Sequence, residues 1–395
     1  MTAPILVAGA GIGGLTAALA LVRAGWAVQL VERAPAITEI GAGMQIAPNA
    51  GRILARLGLG PEMDRFASEP RAINVRRGRD GDILARLDLS DARARWGAPF
   101  RLFHRADLQQ ILLRAVAAES RVAVRTGARL VGLEADRDAG IAVIVETADG
   151  AETLSAAGLV GADGERSAVR ALLAPGAASA RDFAGVVAWR ALVPAAQAPQ
   201  PLRAPETHIW LSPGAHVVHY PLRDGGVINV VLAIAETDGS GPAAGMDRAG
   251  VDLARDLAAR GASPMLCALI EAGESWRRWP FFAQPALKRW SVGAATLLGD
   301  AAHPMVPFLA QGAAQAIEDA DALGRAFAAT PDAPIARIFV DYERARIVRA
   351  SKVARASRRQ GDLDHLGGLA AVVRDLGIRA LGGRGLLARN AWLYR

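Results

Sequence analysis

The sequence predicts an α/β fold, α+β overall, in which a dinucleotide-binding domain is interrupted by a mainly antiparallel β-sheet domain and followed by C-terminal helices. Three observations carry this reading. The first 32 residues read strand, glycine turn, helix, strand. The middle of the chain is a succession of short strand-like runs with alternating sides, and the residues after Asp319 carry apolar stripes at helical spacing. At 395 residues the chain has length for two to three domains.

At the N terminus, Ile5, Leu6, Val7 and Ala8 form the run expected of a buried parallel strand. Gly9-x-Gly11-x-x-Gly14 follows as a tight turn, then Leu15, Ala18, Leu19 and Val22 on one helix face. Glycine at these positions permits the turn, close backbone approach to a pyrophosphate, and tight helix packing. Ile12 and Gly13 share the loop, and the helix start offers free N–H groups to an anion. Gly25 ends the helix, and Ala27 to Val31 is a second strand. Glu32, with Arg33 beside it, stands about 20 residues past the glycines, where a carboxylate accepts hydrogen bonds from a ribose. Both strands, the helix and Glu32 in register predict a Rossmann-like domain that binds a dinucleotide.

From Arg129 to Val160, strand-like runs alternate with turns at Ala139-Gly140 and Asp149-Gly150, leading into Gly161-Ala162-Asp163-Gly164. Later, the apolar strand Ala294 to Leu298 runs into Gly299-Asp300-Ala301-Ala302-His303-Pro304. A strand ending in Gly-Asp sets a carboxylate at a ligand-facing edge, suited to a polyol hydroxyl. Gly312 then opens a helix whose N-terminus favours negative charge.

Between these motifs lies a hairpin over Ala72 to Leu89, turning at Gly78-Arg79-Asp80-Gly81. Four strand-like runs follow: Val186 to Val193, His208 to Leu211, His216 to Leu222 and Val227 to Ala235. Alternation sets His216, Val218 and Tyr220 on one face and His219 on the other. Helical spacing covers Ala320 to Ala328 and Ile335 to Arg358; from Gly361 a glycine- and leucine-rich arm runs to Arg395.

The Gly9/Gly11/Gly14 fingerprint with Glu32, the Asp163-Gly164 motif and the Gly299-Asp300 motif, in that order, resemble the single-component aromatic hydroxylases of the p-hydroxybenzoate hydroxylase type, the class A FAD-dependent monooxygenases. His216 and Tyr220 ahead of Pro221 resemble the salicylate and 3-hydroxybenzoate hydroxylase branch of that family. The resemblance implies FAD as cofactor, NADH or NADPH as reducing co-substrate with NADH favoured, and hydroxylation of a small phenolic aromatic acid by O2 through a flavin C4a-hydroperoxide. A homodimer is implied as well. It further implies that Gly9, Gly11, Ile12, Gly13, Gly14, Glu32 and Arg33 hold the adenosine end, with Arg105 near the pyrophosphate. Asp163 and Gly164 would support the flavin and the visiting nicotinamide, Asp300 the ribityl chain. Pro304 would shape the place where oxygen reacts, and Gly312 and Ala313 would face the flavin ring. One glycine fingerprint is the number such a family needs, since its nicotinamide cofactor visits a cleft.

His216 and Tyr220 would line the substrate pocket. A phenol has a pKa near 10, so a histidine of pKa ~6.5 at hydrogen-bond distance would help remove its proton near neutral pH. His216 is thus the expected base and Tyr220 the expected hydrogen-bonding partner. His303 is an alternative base, read as structural or flavin-adjacent. Arg190 and Arg223 could hold a carboxylate, but read equally as solvated strand-edge charges. Met305 to Leu309 is an apolar run suited to a water-poor pocket. By resemblance, 3-hydroxybenzoate enzymes carry an amide where Pro307 falls, which tilts the expectation toward a salicylate-like acid.

On this reading residues 1–71, 98–180 and 283–330 form the FAD-binding domain, 72–97 and 181–282 the substrate domain, and 331–395 a helical region. The 46 basic residues exceed the 39 acidic ones by seven but are scattered, with no nucleic-acid recognition motif among them. No metal-ligand spacing appears either. A membrane-surface enzyme of the same fold, acting on a quinone precursor or isoprenoid, is the alternative, against which the missing polybasic cluster counts. A flavin- or aromatic-binding regulator is a third reading. The uncharged stretch from Ala3 to Val22 is broken by glycines, unlike a signal or membrane segment. Cys267, the one cysteine, sits in an apolar run and reads as packing; its solitude fits a cytoplasmic protein.

Overall fold

A computed structural model of the chain describes residues 3–37, 43–136, 140–178, 182–236 and 247–395. Ala139, in one expected turn, and the expected domain boundary at 180/181 lie outside the described residues.

Continuous apolar runs give five short strands buried between helices. β1 (Ile5–Ala8), β2 (Val28–Val31), β7 (Val122–Arg125), β11 (Gly158–Gly161) and β18 (Ala295–Leu297) pair in the order β18-β11-β1-β2-β7, every neighbour parallel. Ala8 aligns with Val31 and Gly161, and Gly161 with Leu297, so four strands end at one level. Glycines set the packing of this layer. A β-carbon on Gly324 of α10 (Gly312–Ala329) would press on Ala20 of α1 (Ile12–Arg23), so these helices lie close together. Trp290, Phe327, Phe339 and Tyr342 complete the core beside Ile5, Leu6 and Leu15.

The second large sheet has eight strands. β4 (Ala72–Arg77), β5 (Ile83–Asp88), β12 (Asp182–Pro194), β13 (Thr207–Ser212), β14 (Ala215–Leu222), β15 (Val227–Ala235), β16 (Asp247–Arg248) and β17 (Trp276–Ala283) pair in the order β16-β17-β12-β15-β14-β13-β4-β5. All pairs are antiparallel except β4 with β13. Alternation gives it one largely apolar face, into which His208, His219 and Arg278 are also buried. Val187, Trp189, Val217, Val230 and Leu232 pack there with Leu253 and Leu257 of α8 (Gly250–Ala259) and Leu266 and Leu269 of α9 (Pro264–Glu271). The opposite face carries Arg190, His216, Val218, Tyr220 and Asn229.

Two smaller sheets complete the strands: the meander β8 (Arg129–Asp136), β9 (Gly140–Thr147) and β10 (Gly150–Ala156), and the pair β3 (Gly43–Ile46) with β6 (Arg101–His104). Between β3 and β6 run α2 (Pro48–Arg56), α3 (Gly60–Phe66) and α4 (Ala92–Trp96). Helix α5 (Arg105–Ala117) follows β6, and α6 (Ala168–Leu173) and α7 (Pro175–Ala178) follow β11.

The C-terminal helices depart from the sequence reading. α11 (Ile335–Asp364) runs on through Gly361, a glycine that makes room for the Phe308 ring, which occupies the place a β-carbon would take. The glycine-rich arm is α12 (Gly368–Tyr394), bent at Gly382 with φ of 59°. Gly383 lets it lie against the backbone of Arg86. Among the described residues no helix is long and apolar enough to cross a membrane.

Candidate functional site

The common level at which β2, β1, β11 and β18 end brings the three sequence motifs together. Glu32 follows β2, Gly9 to Gly14 follow β1, Asp163-Gly164 follows β11 and Gly299-Asp300 follows β18. Ligands of open parallel sheets bind at such carboxyl ends.

The glycines divide by what surrounds them. Gly9 has φ of 105°, and a β-carbon there would strike the Ala162 carbonyl. One on Gly14 would collide with the Gly9 carbonyl oxygen, and one on Gly13 would lie 2.9 Å from Leu298 Cδ2. Gly11 differs. Its φ is an ordinary −75°, and a β-carbon there would meet nothing within 4 Å. Open space before a glycine whose neighbours do not demand one is what close approach of a pyrophosphate requires, and α1 begins there with Ile12, adding its positive end.

Both oxygens of Glu32 accept backbone hydrogen bonds, from Ala10 N and Ala34 N at 2.9 Å each, which ties the glycine loop to the end of β2. Arg33 beside it is exposed. Asp163 faces the start of α6, accepting from Ser167 Oγ and from the Ala168 and Val169 amides at 2.7 and 3.2 Å. Burial pushes its carboxyl upward in pKa, while those hydrogen bonds oppose the shift. Gly164, at φ of 80°, again faces open space.

Asp300 lies deep among surrounding protein yet keeps an accessible surface. Burial raises its carboxyl, with His303 and Arg105 pulling it back. A β-carbon on Gly312 would come within 3.9 Å of Asp300 Oδ1, so the start of α10, with Ala313 next to it, adjoins that carboxylate. A reachable carboxylate, two helix starts and glycines opening onto space fit an FAD, whose polyol chain Asp300 would hold and whose pyrophosphate Gly11 would admit. Arg105 opens α5, and its charge is felt at both Asp300 and Arg190.

That link carries the site across to the eight-stranded sheet. His216, Val218 and Tyr220 share the face away from the apolar core, as alternation predicts. Four residues of strand separate His216 from Tyr220, about 13 Å at 3.3 Å per residue, so they stand at opposite ends of the face. Val218 and its β15 neighbour Val231 lie between them.

At the Tyr220 end, a β-carbon on Gly43 would stand 2.8 Å from the Tyr220 ring, and Gly43 N donates to Asn229 Oδ1 at 2.7 Å. Burial pushes the Tyr220 hydroxyl well up in pKa, with Arg190 opposing. Arg190 itself is pulled down by burial, Tyr220 opposing and Arg105 adding like-charge repulsion. Its Nε and the Nδ2 of Asn229 are buried without a hydrogen-bond partner, and no carboxylate pairs with Arg190 among the described residues.

At the His216 end, Phe308 packs edge-on at 5.4 Å between ring centres. Phe308 belongs to the loop that follows Asp300 and Pro304, so this loop spans from the cofactor motifs to the sheet face. His216 does not have the ordinary imidazole pKa assumed from sequence: burial, then His365, push it down to about 3. His303 is tied into the fold, its Nε2 2.6 Å from Asp319 Oδ2 and its ring against Trp290. Arg223 is exposed, 3.7 Å from Asp107. His365, unmarked in the sequence, adjoins His216, and Arg190 is not a solvated strand-edge charge, since its Nε is buried. For Arg190 the signal was present, since it shares the parity of the face opposite Trp189. For His365 nothing local marks it.

A profile of the family described as FAD binding domain matches residues 2–357. The 3-hydroxybenzoate 6-hydroxylase of Polaromonas naphthalenivorans is 35% identical over 373 residues, covering 94% of this chain and 90% of that protein. The 3-amino-4-hydroxybenzoate 2-monooxygenase PtnB3 of Streptomyces platensis is 38% identical, over 99% of this chain and 95% of its own. The crystal structure of Klebsiella pneumoniae HpxO complexed with FAD and uric acid superposes with a TM-score of 0.85 at 28% identity, covering 99% of this chain and 96% of that one.

Proposed function

The chain belongs to the FAD binding domain family, and from that membership we propose that it is an FAD-dependent monooxygenase that hydroxylates a phenolic aromatic acid, salicylate- or hydroxybenzoate-like, with NAD(P)H and O2. The observation that supports the reading is a juxtaposition: the loop after Asp300 brings Phe308 against His216, and the charge of Arg105 acts on both Asp300 and Arg190. FAD, when bound, takes reducing equivalents from NAD(P)H and activates O2.

The chain's own residues do the rest. Gly9, Gly11, Ile12, Gly13, Gly14, Glu32, Arg33 and Arg105 hold the dinucleotide, with Asp163, Gly164, Asp300, Pro304, Gly312 and Ala313 around the flavin end. Val218 and Val231 offer an apolar bed for an aromatic ring. Arg190, enclosed and without a carboxylate partner, calls for an anion, since a buried charge is costly until it is paired. For an acid whose hydroxyl is meta or para to the carboxylate, a carboxylate against Arg190 and the Tyr220 hydroxyl turns the phenolic oxygen toward His216. Nδ1 of His216 is engaged by His365 at 2.8 Å, which leaves Nε2 to take the phenolic proton. Loss of that proton makes the ring electron-rich and ready for electrophilic oxygen. Phe308 and Phe281, 5.9 Å apart, help keep water from the reacting ring.

The two relatives described above are named for hydroxybenzoates, so the lean toward salicylate drawn from Pro307 gains no support from them. The substrate domain is assigned to 72–97 and 181–282, the FAD-binding domain to 1–71, 98–180 and 283–330, and the helical region to 331–395. Leu369, Val372, Val373 and Leu376 of α12 are exposed, which supports a homodimer through that helix. The single cysteine supports a cytoplasmic setting.

The test is NAD(P)H oxidation by the FAD-loaded protein with 3-hydroxybenzoate, salicylate and 3-amino-4-hydroxybenzoate. At least one acid should raise the rate several-fold and yield a hydroxylated product. No response to any phenolic acid rejects the reading.

A further inference from the structure

His216 is held from behind by a residue of the C-terminal region. Its Nδ1 lies 2.8 Å from Nε2 of His365, with the rings 5.0 Å apart and tilted by 44°. Phe308 closes edge-on over both, at 5.4 and 6.0 Å. The backbone fixes His365 in place. It caps α11, donating to the Gly361 carbonyl at 3.2 Å, and its own carbonyl accepts from Gly214 N at 2.9 Å, in the turn that opens β14. Gly367 then passes against Pro213, where a β-carbon would stand at 3.3 Å. The α11–α12 corner is thereby docked on the turn beside His216.

The two histidines differ in access. His216 is buried, whereas His365 is half-buried and lines a cleft of about 350 Å³ together with Phe308, Gly361, Val306 and the exposed Arg358 and Asp362. One imidazole thus stands on the sheet face proposed for the substrate and the next lines a surface cleft, with one hydrogen bond between them.

Building on the substrate reading above, we infer that His365 is a positioning residue that relays the substrate's proton from His216 to the water of this cleft. The phenolic O–H bond breaks as His216 Nε2–H forms. The His216 Nδ1–H passes to His365 Nε2, and the His365 Nδ1–H passes to water. Neither ring gains net charge, and return of a proton to the product along the same path restores both tautomers. Neutral rings suit this role. Burial holds His216 at about 3 and His365 at about 4. The charges facing His365 are Arg260 from the end of α8, Asp362 on α11 and Arg374 on α12, with Arg358 across the cleft; Arg260 and Arg374 disfavour a positive His365 and Asp362 opposes them. A pair that cannot store the proton is left to conduct it. The hydrogen bond also fixes the His216 ring so that Nε2 faces the substrate.

The experiment follows phenolate formation when 3-hydroxybenzoate is mixed with the FAD-loaded protein in the absence of NAD(P)H, read by ultraviolet absorbance and by a pH indicator. Wild type is compared with His365→Gln and His365→Ala. The relay predicts phenolate formation slowed about tenfold or more in both variants, with binding of the acid little changed and the alanine variant rescued by added imidazole. FAD content and thermal melting verify that the variants are folded. Equal rates in all three proteins, or a slowed alanine variant that imidazole does not rescue, overturn the relay while leaving the substrate reading intact. A wild type that neither binds the acid nor oxidises NAD(P)H faster in its presence overturns the substrate reading, and the relay with it.

Discussion

His303 Nε2 and Asp319 Oδ2 lie 2.6 Å apart in the core, and the same carboxylate accepts from Gly299 N at 3.0 Å and from Arg346 Nε at 2.7 Å. Burial alone would raise the Asp319 carboxyl; His303 and Arg346 outweigh it and hold the group at about 2. One side chain of α10 therefore fastens the Gly299-Asp300 turn to α11. Because its folded pKa lies below the unfolded value near 3.9, its stabilisation is complete above about pH 4 and fades as pH falls toward 2. Replacing Asp319 with Asn leaves Arg346 underpaired and should cost about 3–5 kcal/mol. Thermal melts at pH 7 measure that loss, and weaker FAD retention should accompany it as the Asp300 turn loosens.

The glycine loop separates fold from cofactor. Gly11→Ala points a methyl into open space, so the FAD-free protein should melt as wild type does while FAD affinity falls about tenfold or more, the effect of a lost close approach. Gly14→Ala drives a methyl into the Gly9 carbonyl and should lower both. Titration of the apoproteins with FAD, with melting curves of each, distinguishes the two outcomes.

Arg190 is expected to act on binding of the acid. Arg190→Gln should raise KM for the preferred acid about 10–100-fold, the cost of a lost charged hydrogen bond of about 1.5–3 kcal/mol, with a smaller change in kcat. A neutral phenol lacking the carboxylate should respond equally to both proteins. An unchanged KM for the acid removes Arg190 from the binding site.

Asp364 sits beside the relay, accepting from Gln360 at 2.8 Å, and burial pushes its carboxyl to about 7 against the pull of Gln360 and Arg374. A folded pKa above the unfolded one means stabilisation present below about pH 4 and lost as pH rises through 7, about 1.4 kcal/mol per unit. Asp364→Asn lacks that slope. Its stability relative to wild type should grow from pH 4 to pH 7 and then level off, as measured by denaturant unfolding across the range. A difference independent of pH contradicts the assignment.

What the sequence made legible was local. Glu32, Asp163 and Asp300 each follow a strand with a recognisable apolar run, and the shared face of His216 and Tyr220 follows from a period of two. The parallel order that makes Glu32, Gly11, Asp163 and Asp300 neighbours is a property of pairing, and it entered only through resemblance. Gly361 read as the end of a helix because its partner, Phe308, lies in a distant loop. The glycines of α12 each disfavour a helix by about 1 kcal/mol, a preference that packing on β5 overrides. His365 stood in a segment read only as a glycine- and leucine-rich arm, 149 residues from the histidine it touches.

The proposed reaction transfers one oxygen atom to a phenolic acid. Its decisive test is turnover under 18O2 with NAD(P)H and the best-stimulating acid, followed by mass analysis of the product. A hydroxylated acid carrying one 18O atom is expected. Consumption of NAD(P)H with all reduced oxygen recovered as hydrogen peroxide and every phenolic acid returned unchanged would contradict it.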